Sequence, residues 1–207
     1  NPEDKAAFAI AEEIALANGA DVIIGTDPDC DRIGIGVVKD GSVECLTGNQ
    51  TGVLLIDFLA RTDENAAGKK LITTIVTSDM GKAVAESYGV DVIKTFTGFK
   101  NIGAVMNELE PGKYFMGYEE SYGYLMSDFV RDKDGVQAAL ITAEMVAYYK
   151  NKGQCLYETM KSLFDQFGYY KEAIQSLTMK GKEGAAQIND IMSEFRSSSP
   201  NEIAGLK

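Results

Sequence analysis

Apolar residues recur at helical spacing at Ala7, Ile10, Ala11 and Ile14, and Asn18-Gly19 follows them. The spacing predicts a helix over 2–17, with Asn1 as its cap, Pro2 at its first position and acids in its first turn. Short apolar runs then predict strands over 20–25 and 33–38, separated by an acidic loop over 26–32, and Asp40-Gly41 after the second is a hairpin signal. From Thr47 the rhythm changes. A helix over 51–61 opens a stretch in which β-branched or apolar runs (71–77, 90–96, 114–117) alternate with helical periodicities (82–88, 101–109, 135–150), and a helix over 156–167 closes it. Such alternation predicts an α/β fold, a parallel sheet covered by helices on both faces. After Gly168, a strand over 169–179 and a helix over 184–196 read as the start of a further unit.

With 45% hydrophobic residues in 207, the chain can bury a substantial core. Its net charge of −11 argues against an electrostatic grip on nucleic acid or anionic membranes, which clustered Lys and Arg would provide. No apolar stretch approaches bilayer length, and the start of the chain has no charged-then-apolar leader, so a soluble, cytoplasmic location is expected. The first and last residues both read as cuts in a longer chain. Cys30, Cys45 and Cys155 are odd in number, scattered and without CxxC spacing, which predicts free thiols. Histidine is absent. Chemistry here must therefore use carboxylates, hydroxyls, Lys or Arg.

Ligands of open parallel sheets bind beyond the carboxyl ends of the strands, which directs attention to the loops 26–32, 78–79, 95–100 and 118–123, and to 131–135 before a long helix. Asp27, Asp29 and Asp31 stand at alternate positions between two apolar strands. Gathered like charges repel, and a hard divalent cation with oxygen ligands is a reason to collect them; spacing alone leaves a solvated acidic turn equally open. An EF-hand does not fit, because its sixth and twelfth positions would be Arg32 and Val38 instead of Gly and Glu. Gly34-x-Gly36 is followed by strand-like residues and a hairpin turn, which excludes a dinucleotide fingerprint. On their residues alone, Glu119-Glu120-Ser121 read as an exposed acid pair with a hydroxyl cap, Thr97 as a cap for the helix near Asn101, and Lys100 and Lys133 as surface charge.

The stretch GADVIIGTDPDCDRIGIGV resembles the metal loop of the α-D-phosphohexomutases, the phosphoglucomutase/phosphomannomutase family, whose pattern is Asp-x-Asp-x-Asp-Arg flanked by small and aliphatic residues. The resemblance implies that Asp27, Asp29 and Asp31 hold Mg²⁺ and that Arg32 contacts the reacting phosphate. Cys30 stands where the family often has a small residue. Tyr118-Glu119-Glu120-Ser121-Tyr122-Gly123 resembles the sugar-binding loop, so Glu119 and Ser121 are implied to hydrogen-bond neighbouring sugar hydroxyls. Thr97-Gly98-Phe99-Lys100 resembles a segment that orients substrate, and the loop around Lys133 resembles one whose lysine contacts sugar or phosphate.

The resemblance covers essentially the whole chain: the end of the family's second domain (1–46), its third domain (47–168) and the start of its fourth (169–207). It implies a three-layer αβα fold with a mixed, mostly parallel sheet. It also implies a phosphohexomutase that interconverts hexose 1-phosphate and hexose 6-phosphate through Mg²⁺ and a phosphoserine, with hexose phosphates and the remaining domains of the parent chain as partners. The phosphoserine loop and the fourth-domain phosphate loop have no counterpart in these residues, so the isolated chain is expected not to turn over. A phosphopentomutase or sugar 1,6-bisphosphate synthase of the same superfamily, or a non-catalytic module binding sugar phosphate or divalent cation, are the alternatives. Glucose and mannose phosphates are not distinguished.

Overall fold

The chain opens on a turn where the residue pattern predicts a helix. Asn1 Oδ1 accepts the Glu3 N–H at 3.2 Å, and Asp4 Oδ1 accepts the Ala6 N–H at 2.9 Å to start a 3-10 turn, Lys5–Phe8, that runs into α1 (Ala9–Asn18). Pro2 is buried, and its carbonyl lies over Gly34, so the first residues are held against a strand and cannot begin a helix. The computed structural model describes residues 1–174, 177–203 and 205, which fall into two compact units, Asn1–Tyr170 and Lys171–Lys207.

Within the first unit, β1 (Val22–Thr26), β2 (Ile33–Lys39) and β3 (Ser42–Cys45) form an antiparallel sheet in that order. The β2–β3 turn takes positive φ at both Asp40 (50°) and Gly41 (77°), the type I′ geometry that suits the twist of two paired strands. Phe8, Ala15, Ile23 and Val43 close one face of this sheet. Gly34 and Gly36 lie under Phe8 and Val43, so these glycines serve close packing within the sheet.

The second sheet contains β4 (Lys70–Thr74), β5 (Asp91–Thr95), β6 (Tyr114–Glu119) and β7 (Gly123–Leu125) in the order β5-β4-β6-β7. The first three run parallel, and β7 returns antiparallel to β6. The sheet is thus mixed and mostly parallel, as expected, although β7 itself lay in a stretch read as loop. Helix α4 (Phe99–Glu108) covers one face through Phe99, Ile102 and Met106 against Ile72 and Leu125. The other face joins a larger core with β2, α2 (Gly48–Thr62), α3 (Asp79–Ser87), α5 (Gly135–Asn151) and α6 (Leu156–Phe167). Leu54, Leu55, Ile56 and Leu71 are fully buried there, each side chain contributing about 1.5–3 kcal/mol.

A reciprocal capping box starts α2: Thr47 Oγ1 accepts the Gln50 N–H at 3.2 Å, and Gln50 Oε1 accepts the Thr47 N–H at 2.9 Å. One buried charge interrupts the apolar face of this helix. Asp57 accepts from Tyr88 Oη at 2.7 Å, Arg61 Nε at 2.8 Å and Tyr149 Oη at 2.5 Å.

In the second unit, α7 (Gly181–Ser197) stands where a helix is predicted. The strand predicted over 169–179 does not form in 169–174 or 177–179; residues 175 and 176 lie outside the described residues. Tyr169, Ile174 and Leu177 are more than two-thirds exposed, so most of the segment's apolar side chains lack the cover that sustains a strand. No described helix is long and apolar enough to cross a membrane.

Candidate functional site

The acidic loop is folded around the first of its carboxylates. Asp27 Oδ1 accepts the N–H groups of Asp31 and Arg32, both at 3.1 Å, and the Asp27 carbonyl accepts from the Cys30 N–H. Cys30 takes a left-handed conformation, φ 58°, that costs a non-glycine residue roughly 1–2 kcal/mol. Burial pushes the Asp27 carboxyl up, but the hydrogen bonds from Arg32 and Asp31 outweigh it and hold the group below the usual carboxylate range.

This arrangement brings one ligand atom each from Asp27, Asp29 and Asp31 within 4.8 Å of one another, with Asp29 exposed and the other two half-buried. All three donors are hard oxygens, which fits a small divalent cation. Lys133 Nζ sits 2.7 Å from Asp31 Oδ2 and 3.4 Å from Asp132 Oδ1. Burial lowers the Lys133 pKa, but the hydrogen bond to Asp31 prevails and raises it. Lys133 is therefore part of the acidic cluster, contrary to its reading as surface charge. Arg32 Nε is buried without a hydrogen-bond partner, 3.9 Å from both Asp27 Oδ2 and Asp31 Oδ1, while Nη1 reaches Glu3 Oε1 at 3.1 Å.

Glu119 and Ser121 belong to the tight β6–β7 connection, in which Glu119 pairs with Gly123 and Tyr122 is left-handed at φ 66°. The acid pair read as exposed is in fact held. Glu119 is 8% exposed, and its Oε1 accepts the Gly98 N–H at 2.8 Å. Burial pushes its carboxyl above the ordinary value, offset only in part by that N–H. Glu120 turns to the end of β4, where its Oε2 accepts from the hydroxyls of Thr74 and Thr77, each at 3.2 Å. Ser121 is half-buried, and its hydroxyl finds no partner among the described residues.

Gly98, at φ 105°, caps α4, which begins at Phe99, two residues before the predicted start; Thr97 offers no capping side chain. Thr97, just before the cap, and Lys100, in the first turn of α4, are both exposed. The structure thus joins Gly98 directly to Glu119 and leaves Thr97 and Lys100 beside them, open to solvent.

The acidic loop is stitched by backbone to the β6–β7 turn and to the start of α5. Arg32 bridges Gly123, the Ile33 N–H reaches the Tyr122 carbonyl at 3.2 Å, and the Gly135 N–H reaches the Cys30 carbonyl at 3.0 Å. Gly123 therefore lies between Arg32 on one side and Glu119 on the other; at ~4.8 Å per strand spacing the two backbones are about 10 Å apart. Gly135 is compelled to lack a side chain, since a Cβ there would meet the Cys30 carbonyl at 2.6 Å. Asp134 caps α5 by accepting the N–H groups of Val136 and Gln137, which fixes the loop that carries Lys133. The strand β7, the capping by Asp134 and the bonds of Glu120 to Thr74 and Thr77 were not read from the sequence. A groove of about 460 Å³ between the end of β3 and α6, lined by Cys45, Tyr157 and Phe164, lies apart from these loops.

The domain described as "Phosphoglucomutase/phosphomannomutase, alpha/beta/alpha domain III" matches residues 47–167, more than half of the chain. The chain belongs to the phosphoglucomutase/phosphomannomutase family. A phosphoglucomutase of Staphylococcus epidermidis is 39% identical over 210 residues, covering all of this chain and 38% of the relative. A phosphoglucomutase of Staphylococcus haemolyticus is 38% identical with the same coverage. The chain thus spans 38% of the length of these curated relatives. Among solved structures, a putative phosphomannomutase from Thermus thermophilus superposes with a TM-score of 0.65 at 25% identity, covering 87% of this chain and 40% of that one. The open form of parafusin from Paramecium shares the fold at a TM-score of 0.65 and 21% identity, covering 95% of this chain and 34% of that one.

Proposed function

We propose that the parent of this phosphoglucomutase/phosphomannomutase family chain is a cytoplasmic phosphohexomutase that interconverts hexose 1-phosphate and hexose 6-phosphate. The observation that carries this reading is the convergence of the acidic loop and the Glu119 turn on one backbone ladder at Gly123, with the Lys133 side chain packed over that glycine and paired to Asp31. On this reading 1–46 ends the family's second domain, 47–168 is its third and 169–207 begins its fourth.

Asp27, Asp29 and Asp31 would hold Mg²⁺, which when bound neutralises charge on a seryl phosphate supplied from outside these residues. Arg32 directs guanidinium donors to a phosphate oxygen, with its Nε held 3.9 Å from Asp27 and Asp31. Lys133 adds a second positive charge beside Asp31. Glu119 is held through one oxygen by Gly98, which leaves the other to accept from a sugar hydroxyl; Ser121 both donates and accepts beside it. Thr97 and Lys100 flank the same opening. The contribution of these groups is positioning and electrostatic, as phosphoryl transfer requires.

In the full-length protein, Glu119→Gln and Ser121→Ala should lower hexose-phosphate turnover while thermal melts stay close to wild type. A melting shift with unchanged kinetics would make this turn structural and defeat the assignment. The isolated chain should show no turnover, because it contains no histidine to activate a serine.

A further inference from the structure

We infer that Glu120 is a positioning residue that sets the sugar-binding turn by clasping the end of β4. This rests on the reading of Glu119 and Ser121 as sugar ligands. Three observations carry it.

First, the two adjacent carboxylates leave the turn in different directions. Glu119 reaches the loop after β5 at Gly98, and Glu120 reaches the loop after β4 at Thr74 and Thr77. The turn is therefore tied to two neighbouring loops at once, and neither carboxylate can move without pulling on the other. Second, the clasp is internally complete on the threonine side. Thr74 and Thr77 are buried, their hydroxyls stand 2.8 Å apart, and Thr77 Oγ1 accepts the Thr74 N–H at 3.2 Å. With that N–H accepted, the Thr77 proton is available for Glu120, and a carboxylate is the strongest acceptor within reach. Third, the turn needs holding. Tyr122 is in the left-handed region, a conformation that a tyrosine adopts only when its surroundings impose it. The start of α2 supplies the opposing wall, since a Cβ on Gly48 would come within 2.0 Å of the Glu120 carbonyl. Glu120 is thus pressed from the α2 side and drawn from the β4 side, and Ser121 follows it in the chain.

Glu120 need not touch the sugar to matter. If the clasp is lost, Glu119 and Ser121 remain present but sample more orientations, which weakens substrate binding more than it slows the chemical step.

The experiment compares Glu120→Ala, Glu120→Gln and the pair Thr74→Val/Thr77→Val in the full-length protein, by steady-state kinetics and by amide hydrogen exchange of segments 97–99 and 119–124. Glu120→Ala should raise KM for hexose phosphate about tenfold with a smaller change in kcat, and should accelerate exchange in both segments. Glu120→Gln keeps an oxygen to accept the threonine hydroxyls and should stay within about twofold of wild type. The threonine pair should reproduce Glu120→Ala, and adding Glu120→Ala to it should change little more, because all three groups form one contact. Wild-type kinetics and exchange in Glu120→Ala, or effects that multiply in the combined variant, would overturn the inference. If the wild-type protein turns over no hexose phosphate, the functional reading fails, and the exchange comparison still decides whether Glu120 holds the turn.

Discussion

Asp57 and the acidic loop both set carboxylates beside cations, and they are completed in different ways. Asp57 is 1% exposed, and three donors, Tyr88, Arg61 and Tyr149, fill its two oxygens. Burial and the bond to Asp57 raise the pKa of both tyrosines, and the bond to Asp57 raises that of Arg61, so the two phenols stay neutral and Arg61 stays charged across the physiological range. Asp27, Asp29 and Asp31, by contrast, face Arg32 and Lys133, which Glu3 and Asp132 also engage, so acids outnumber bases at a solvent-facing loop. A carboxylate with all its partners in the fold is a strut; a group with acceptor capacity and charge left over is equipped for a ligand.

The comparison breaks most visibly at Asp57. Asp57→Ala leaves Arg61 and two phenols without their acceptor and should destabilise the fold by about 3–5 kcal/mol in urea or thermal unfolding. A wild-type melt would show that the cluster is not a strut. Asp29→Asn tests the other side: Mg²⁺ or Mn²⁺ affinity, read by calorimetry, should fall about tenfold or more while stability stays within ~0.5 kcal/mol, since Asp29 is exposed to solvent. Equal affinity in the variant and wild type would remove the metal assignment.

The smallest effect is a pH slope from Glu119. Its folded pKa is raised by burial, so the folded state holds a proton that the unfolded state has already lost. Stability should therefore fall as pH rises from the ordinary glutamate value through the raised folded one, the reverse of a salt-bridged acid. Glu119→Gln should flatten that part of the stability–pH curve.

What could be read from the residues was local. The alternation of runs marked β4, β5 and β6 and the helices between them, and Asp27, Asp29 and Asp31 announced themselves by spacing within one loop. β7 escaped because three residues are too few to show a period, and it is defined by pairing with β6. Glu120 and Lys133 were misread as surface because their partners are remote: Thr74 lies 46 residues from Glu120, and Asp31 precedes Lys133 by about a hundred. Asp57 shows the same limit, since Tyr149 is 92 residues away. The strand expected over 169–179 failed for the converse reason: its local pattern was adequate, and most of its apolar side chains lack cover.

The bond from the Gly135 N–H to the Cys30 carbonyl has a consequence for the order of events during synthesis. The acidic loop leaves the ribosome before the residues that clamp it, Tyr122, Gly123, Lys133 and Gly135, which are made about a hundred residues later. At ~5–20 residues per second, the loop waits roughly 5–20 s as an unclamped run of like charges beside two exposed apolar strands. On the proposed metal assignment, cation affinity is a property the nascent chain acquires abruptly, when α5 begins. Ribosome-arrested chains released to about residue 110 should bind Mn²⁺ no better than an Asp29→Asn chain, whereas those released through α6 should bind it as the finished protein does.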